Sequence, residues 1–357
     1  MERPSGPEAV ARRGGADRAR VYVAGLDAGY AARVEEGLAF AGFSEEVPAG
    51  GTVFLKPNLT FPEYRPGVTT SIECIGAVTR LLIARGYRVV IGEADSGGYN
   101  RFSMDAVFAS TGDDALARET GARLVNVSFT EPETLAVRSG WRRLGVRVPR
   151  LLVHEVDAFV SLPVPKIHMN TLVSLSIKNQ WGCIQEPSDR LRLHPHFAPV
   201  MLALNRALPR PYAVIDGRFG LNRSGPMDGD PVRLDWLLVS NDLVAADRAG
   251  CRLMQVDEDD VAFLRHFRAH GWWPAWDAVE RNTDLSPFLR ERFHLQRRWT
   301  DLPGAACFNN SLLAWIGYHS PLAGPLHRLL YLFRKPFYDY AAERARVRGR
   351  GGDGDHG

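Results

Sequence analysis

Residues 160–183 read VSLPVPKIHMNTLVSLSIKNQWGC and decide how the chain is organised. The apolar run from Ala158 to Leu162 predicts a buried strand, which Pro163 and Pro165 end. Two lysines, a histidine, two asparagines and a cysteine follow. Polar groups at this density after a buried strand are typical of the ligand crevice of an open α/β sheet. The stretch therefore predicts a functional site without naming its reaction.

Strand and helix patterns alternate around this stretch. The clearest unit is a strand at 52–56, a helix begun by a capping box from Thr70 to Glu73 and ended by Gly86, and a strand at 88–92. Short connections of this kind imply a parallel strand pair with a right-handed crossover. We therefore expect an α/β fold, with an open, mostly parallel, Rossmann-like sheet that has helices on both faces.

Composition divides the chain into four parts. Residues 1–18 and 341–357 are rich in Gly and Arg and predict disordered tails. Residues 19–256 carry the α/β pattern, and a division near residue 150 into two subdomains stays open because 357 residues exceed what one core usually serves. Residues 257–340 hold five of the eight tryptophans and predict an aromatic-rich, mostly helical cap.

Charge and hydropathy exclude several classes of protein. The chain has 44 basic and 41 acidic side chains, a formal net charge of +3, so no concentrated basic face for nucleic acid is indicated. No run of about 18 apolar residues exists, so no transmembrane segment is expected. The polar, Arg-rich N-terminus is unlike a signal peptide, and a cytoplasmic protein is expected. The segment 326–340 is basic and aromatic, which leaves contact with a membrane surface open.

Familiar cofactor motifs are missing from the sequence. The four cysteines are widely separated and none forms a Cys-x-x-Cys pair, which disfavours a zinc ribbon or a ferredoxin-type cluster. There is no Gly-x-x-x-x-Gly-Lys-Ser/Thr loop and no Gly-x-Ser-x-Gly elbow, and the early strands lack a Gly-x-Gly-x-x-Gly turn. A nicotinamide cofactor is therefore not indicated.

Charged side chains stand at the predicted carboxyl ends of four strands, which open on one edge of a doubly wound sheet. Lysines there bind carboxylate or phosphate, and a second cation nearby lowers a lysine's pKa towards neutrality. A histidine exchanges protons in the same range, and asparagine amides donate to an oxyanion. The candidate catalytic residues are Lys56, Lys166, His168, Lys178 and Asp216, and the candidate substrate-binding residues are Asn58, Thr69, Glu93, Asp95, Asn170 and Asn179.

A metal site is a further hypothesis. His194 and His196 would lie on one side of an extended segment and, with Cys183, would bind a divalent metal or an iron–sulfur cluster. Two histidines at this spacing are more often solvated or hydrogen-bonded rings, so this metal set stays an alternative to a site without metal.

Eight motifs in order resemble the bacterial and archaeal family named domain of unknown function 362, over about residues 50–255. They are Lys56-Pro57-Asn58, Thr69-Thr70, Gly92-Glu93-Ala94-Asp95-Ser96, Leu162-Pro163 through Lys166-x-His168, Lys178-Asn179-x-x-Gly182-Cys183, Ile215-Asp216-Gly217, Gly225-Pro226 and Asn241-Asp242-x-x-Ala-x-Asp247. The resemblance implies no settled activity. Some members are fused to ferredoxin-type modules, whose cysteines this chain lacks.

The leading hypothesis is an enzyme of the isomerase or lyase type that works by acid–base chemistry on an acidic, partly apolar small molecule. A metal- or iron–sulfur-dependent redox protein is the second hypothesis, and a non-catalytic protein that binds an anionic metabolite is the third. A homo-oligomer is compatible with all three.

Overall fold

The structure, a computed structural model, describes residues 18–97, 101–297, 299–318 and 320–333, so the predicted tails lie outside it except for Arg18. Its strands are β1 Arg20–Gly25, β2 Thr52–Pro57, β3 Arg88–Glu93, β4 Ser96–Gly97, β5 Arg101–Phe102, β6 Arg123–Asn126, β7 Pro132–Ser139, β8 Arg142–Pro149, β9 Ala158–Leu162, β10 Lys166–His168, β11 Leu172–Ser174, β12 Pro211–Asn222, β13 Asp230–Ser240 and β14 Glu280–Arg281. Its helices are α1 Gly29–Phe40, α2 Phe43–Glu46, α3 Ile72–Ala84, α4 Met104–Thr111, α5 Asp113–Thr120, α6 Arg150–His154, α7 Ser176–Asn179, α8 Pro187–Leu193, α9 Phe197–Ala207, α10 Leu243–Leu253, α11 Ala262–Ala269, α12 Leu302–Asn309, α13 Ser311–Tyr318 and α14 Ala323–Leu330.

The main sheet has the strand order β14-β1-β13-β12-β9-β2-β3-β6, and β10 and β11 attach at its rim. The five strands β12, β9, β2, β3 and β6 are parallel to one another in this order. Strand β13 is antiparallel to both β12 and β1. A short connection joins β12 to β13, and two strands joined in this way must run in opposite directions. The predicted α/β fold with a mostly parallel sheet is confirmed.

Each face of the sheet has its own apolar core, because side chains alternate along a strand. Phe54 and Phe159 point to the core that contains α7, α9, α10 and α11. Val53 and Val160 point to the core that contains α1, α3, α4 and α5. The central strands β9, β2 and β3 are therefore buried on both faces, and Lys56 and Glu93 stand at the carboxyl ends of β2 and β3.

Local backbone features set the ends of three helices. Helix α4 ends and α5 begins at Gly112, which adopts a left-handed conformation with φ of 93°. The N-cap of α3 is Ser71, whose hydroxyl accepts from the Cys74 amide, rather than Thr70. The Thr70 hydroxyl instead donates to the Leu162 carbonyl oxygen at 2.6 Å, which ties this loop to the end of β9.

The segment after residue 256 is mostly helical and packs in two ways. Phe263 and Phe267 of α11 are buried in the core, and β14 adds an edge strand beside β1. Helices α12 to α14 bury little, with Ala314 and Ala323 as their buried residues. Within the described residues, every helix is too short or too polar to cross a bilayer. The domain boundary at 256 stays a prediction.

Candidate active site

Lys56 and Glu93 form a buried ion pair at the carboxyl ends of the neighbouring parallel strands β2 and β3. Lys56 is 1% exposed and Glu93 is 5% exposed. The Lys56 Nζ donates hydrogen bonds to Glu93 Oε2 and, at 2.8 Å, to the carbonyl oxygen of Pro57. Because both charges are out of water, removal of either one leaves an uncompensated charge in the protein interior.

Gly182 brings its backbone against this ion pair. A Cβ atom at position 182 would lie 2.2 Å from Glu93 Oε1 and 2.8 Å from Lys56 Nζ, so the close approach requires glycine. Asn179, in the same segment, donates from Nδ2 to the Lys56 carbonyl oxygen at 2.8 Å and to Ser161 Oγ at 3.1 Å. The segment from α7 to Cys183 is therefore fastened over the ends of β2 and β9.

Lys166, the first residue of β10, is the second cation at this edge. It is 2% exposed, and its Nζ donates to the Val68 carbonyl oxygen at 2.5 Å. Burial, together with the positive charges of Lys178 and Lys56, lowers the pKa of Lys166 to about 7 against the opposing effect of Glu93. The ammonium of Lys166 therefore has a carbonyl oxygen as its hydrogen-bond partner and two cations nearby.

Lys178 is the third cation, on the short helix α7. Its Nζ lies 5.5 Å from the ring centroid of Phe197 and 5.7 Å from that of Trp181. Burial, followed by the charges of Arg190 and Lys56, lowers the pKa of Lys178 to about 7. We call Lys56, Lys166 and Lys178, together with Glu93 and His168, the lysine cluster.

His168, at the end of β10, is 7% exposed. Its Nδ1 accepts hydrogen bonds from the backbone N–H groups of Asn170 at 3.1 Å and Thr171 at 3.4 Å. With Nδ1 occupied as an acceptor, the neutral ring carries its proton on Nε2. Burial and the charge of Lys178 hold the pKa of His168 well below its usual range. At neutral pH the ring therefore presents an Nε2–H donor, a narrower role than the proton exchange predicted from sequence.

The remaining predicted amide and hydroxyl groups differ in how they are used. Both polar atoms of the Asn170 side chain are buried and lack a hydrogen-bond partner within the described residues. A buried amide without a partner is costly, so this side chain is suited to a ligand. Asn58 donates from Nδ2 to the Val68 carbonyl oxygen at 2.9 Å. Thr69 Oγ1 accepts from a backbone N–H of its own loop at 2.8 Å.

Asp216 does not join the lysine cluster. Its Oδ2 accepts from the backbone N–H and the hydroxyl of Ser71 at 2.9 and 2.7 Å, and its Oδ1 accepts from the hydroxyl of Tyr30. Asp216 follows Val214 in the alternation of β12 and shares its face, whereas Lys56 shares the opposite face with Phe54. The carboxylate therefore fixes the start of α3, and its predicted meeting with the lysines is not found.

Asp95 also has a local structural role. Its Oδ1 accepts from the Met104 amide and from Asn126 Nδ2, both at 2.8 Å, and so fixes the start of α4. Glu93, two residues earlier, makes the contact with Lys56. Glu93, and not Asp95, is therefore the acidic residue at this strand end that contacts Lys56.

The side chains predicted to share a metal are not brought together. Residues His194–His196 form a 3-10 helix rather than an extended segment, so positions 194 and 196 face different directions. His194 stacks against buried rings, while His196 Nδ1 lies 2.9 Å from Ser139 Oγ. Burial raises the pKa of the Cys183 thiol to about 12, which disfavours the thiolate that binds metals. Among the residues described, no three His, Cys, Asp or Glu side chains are grouped to hold a metal ion.

Asp247, on α10, positions the helix that carries Lys178, and the sequence did not assign it to the site. Its Oδ1 accepts from the Ser176 amide at 2.7 Å and its Oδ2 accepts from the Ile177 amide at 3.1 Å. These are first-turn N–H groups of α7, which have no partner inside the helix. Burial raises the pKa of Asp247 to about 7. The resemblance motif contains Asp247, but spacing alone did not show that it faces a second helix.

Replacement of Asp247 by asparagine is expected to lower the free energy of unfolding at pH 8 by about 2 kcal/mol. The asparagine side chain keeps an acceptor oxygen for one of the two helix N–H groups. Its NH₂ group faces the other N–H group, and two donors cannot form a hydrogen bond with each other. Urea unfolding gives the measurement. The matched control is Asp242→Asn, because Asp242 caps α10 by accepting from the Ala245 amide at 2.8 Å, and asparagine caps a helix about as well as aspartate. Equal losses in the two variants would contradict a special role for Asp247.

Lysine usage is a signal in the sequence that points to the same site. Of the 44 basic residues, 40 are arginine and four are lysine, and three of those four lysines are in the lysine cluster. Arginine stays protonated in proteins, whereas a lysine shifts its pKa readily when buried. Lysine, rather than arginine, is therefore the cation that this chain places in β2, in β10 and on α7.

Three comparisons with known proteins bear on identity. Residues 53–252 match the sequence model of the family described as Domain of unknown function (DUF362). Thylakoid-associated protein sll1697 of Synechocystis sp. is 24% identical over 227 residues, which cover 60% of this chain and 67% of that protein.

Two solved structures are similar at a lower level. A Thermotoga maritima protein from a structural genomics consortium has a TM-score of 0.38 and 12% identity, with 65% of this chain and 61% of that chain covered. The lactate racemase apoprotein from Thermoanaerobacterium thermosaccharolyticum has a TM-score of 0.36 and 13% identity, with 57% of this chain and 48% of that chain covered. The chain thus spans less than two thirds of either solved protein.

The family match confirms the resemblance found in the sequence motifs. It spans more than half of the 357 residues and includes all three lysines of the lysine cluster. It extends from β2 into α10, and so contains both the ion pair at the strand ends and the aspartate that positions α7. This chain belongs to the DUF362 family.

Proposed function

We propose that this protein is an enzyme of the isomerase or lyase type that moves a proton on an acidic, partly apolar small molecule. The observation that supports the proposal is the pair of lysines, Lys166 and Lys178, whose pKa values are lowered to about 7 at one edge of the sheet. A group with a pKa near the ambient pH is present in both protonation states and is efficient in general acid–base catalysis.

The two lysines have complementary roles in this proposal. An anionic substrate raises the pKa of the ammonium with which it pairs, so that lysine stays charged and holds the anion. The second lysine, with its pKa still near neutrality, exchanges the proton. The Nε2–H of His168 and the amide of Asn170 then donate hydrogen bonds to the oxyanion that develops beside a carbonyl or carboxylate.

Aromatic rings beside Lys178 account for the apolar part of the proposed substrate. The rings of Trp181 and Phe197 lie 5.0 Å apart, and the ring of His194 lies 4.8 Å from that of Phe308. A site of this composition, with a few polar groups among apolar rings, is typical of small-molecule sites. The charged part of the substrate would meet the lysines, and its apolar part would meet these rings.

Solvent isotope exchange tests the proposal across a whole class of candidate substrates. The full-length protein is incubated in D₂O with a set of carboxylic and keto acids, and each acid is examined by mass spectrometry for deuterium bound to carbon. The proposal requires exchange that is lost in Lys178→Met and kept in Lys335→Met, the lysine outside the family match. Binding of an acid without exchange or product would instead favour the non-catalytic binding protein.

The lysine pKa values are themselves open to measurement. With four lysines in the chain, ¹³Cε-labelled lysine gives an NMR spectrum in which each signal is assignable by single substitution. We expect the signals of Lys166 and Lys178 to titrate with midpoints near pH 7, well below the ordinary lysine value of 10.5. Midpoints above about 9 for both would remove the basis for proton transfer at neutral pH.

A further inference from the structure

Within the part of the chain that the structure describes, most of the exposed large hydrophobic side chains lie on helices α12 to α14 and the turns around them. Within the described residues, fourteen large hydrophobic side chains are exposed, and ten of these lie between residues 299 and 333. We call these ten the C-terminal apolar surface: Trp299, Leu302, Leu312, Leu313, Trp315, Leu322, Leu326, Leu329, Leu332 and Phe333. A concentration of this kind marks an interaction site rather than ordinary surface.

The C-terminal apolar surface is held together by ring contacts. The rings of Trp299 and Phe333, at its two ends in sequence, lie 5.6 Å apart in an edge-on arrangement. The same helices pack against the buried ring of His194, beside the lysine cluster. The ring of Phe308 on α12 lies 4.8 Å from the ring of His194 and 6.0 Å from that of Tyr318 on α13. The surface is therefore built onto the wall of the candidate active site.

The charges around this surface indicate what covers it. Residues 302–333 contain no Asp or Glu, and their one Arg or Lys is Arg328. In the sequence, Arg297 and Arg298 precede this segment, and Arg334 and Lys335 follow it. An apolar segment with tryptophans and flanking basic residues matches the interface of a bilayer, where acyl chains lie beneath anionic headgroups.

We propose that the C-terminal apolar surface docks this protein on a membrane that contains anionic lipid. Each of the three helices has eight residues, which is about 12 Å of helix against a hydrocarbon core of about 30 Å, so they would lie in the interface. A second copy of the chain is a poorer occupant. It would bring two arginine-flanked segments together without carboxylates between residues 302 and 333 to pair with them.

Vesicle flotation tests the proposal with the full-length protein. We expect flotation with vesicles of phosphatidylcholine and phosphatidylglycerol, weaker flotation with phosphatidylcholine alone, and a decrease as salt screens the headgroups. Trp315→Glu and Leu329→Glu, at side chains 54% and 56% exposed, are expected to weaken binding at least about tenfold. The matched control is Trp141→Glu, because Trp141 is 86% exposed on the turn between β7 and β8. All variants should keep the natural melting temperature.

Three outcomes would overturn membrane docking. The first is absence of flotation with both kinds of vesicle. The second is an equal loss of binding in Trp141→Glu, which would show that the attachment is not specific to the C-terminal apolar surface. The third is a dimer in sedimentation equilibrium that Trp315→Glu dissociates, without vesicle binding, which would assign the surface to a second copy of the chain.

Discussion

Replacement of Lys166 by methionine is expected to raise the free energy of unfolding at pH 7 by about 2–5 kcal/mol and to abolish the proposed proton transfer. Lys166 is 2% exposed, and burial beside two other cations lowers its pKa to about 7. Methionine fills a similar volume without a charge. The Val68 carbonyl oxygen keeps a hydrogen bond from Asn58 Nδ2 at 2.9 Å, so no buried acceptor is left without a donor.

The pH dependence of this effect has a definite sign. The pKa of Lys166 falls from an ordinary value of 10.5 to about 7 on folding. Between these values the unfolded chain binds a proton that the folded chain does not, so the contribution of Lys166 to stability rises with pH. The methionine variant lacks this contribution. Its advantage is therefore expected to be largest below about pH 7 and to shrink towards pH 10.

Urea unfolding of the natural protein and Lys166→Met, at matched pH values, measures both effects. The difference between the two proteins reports Lys166 together with its electrostatic coupling to neighbouring charges, because the remaining titrating groups are common to both. A variant less stable than the natural protein at pH 7, or a difference that does not change with pH, would show that this lysine is not the destabilising cation that its burial implies.

The lysine cluster was predictable from the sequence because strand ends are marked locally. Pro57 follows Lys56 within β2, and Pro163 and Pro165 stand between β9 and Lys166. Prolines after apolar runs show where strands end, and the ends of parallel strands meet at one edge. The sequence could therefore bring Lys56 and Lys166 together although 110 residues separate them.

For Asp216, the sequence did not show towards which face of the sheet the side chain points. The preceding residues of β12, Tyr212 to Ile215, are apolar and buried on both faces of the sheet. A strand that is apolar throughout does not show which of its residues share a face with a distant lysine. The prediction placed Asp216 at the end of its strand, whereas β12 continues to Asn222 and the side chain lies on the face opposite to that of Lys56. Asp247 was missed for a related reason. The Ser176 amide that it accepts from is 71 residues away in the sequence, and the pattern of α10 alone does not show which helix Asp247 faces.

Lys56 and Lys166 belong to the same cluster but differ in how their positive charge is stabilised. Lys56 has a carboxylate partner, and the Nζ of Lys166 donates to a carbonyl oxygen. Replacement of Lys56 by methionine is accordingly expected to lower the free energy of unfolding by about 3–5 kcal/mol at pH 7. The loss arises because Glu93, 5% exposed, would keep a buried negative charge without its cation.

The double variant Lys56→Met/Glu93→Gln separates the charge from the packing. A neutral amide at position 93 needs no counter-ion, so the double variant should recover much of the stability lost in Lys56→Met. Urea unfolding of the natural protein, the two single variants and the double variant gives the coupling between the side chains. A double variant no more stable than Lys56→Met would mean that lost packing, and not the unpaired carboxylate, causes the defect. Opposite signs for Lys56→Met and Lys166→Met would show that the cation with a carboxylate partner stabilises the fold, whereas Lys166 lowers its stability, which is the cost expected of a residue kept for the proposed proton transfer.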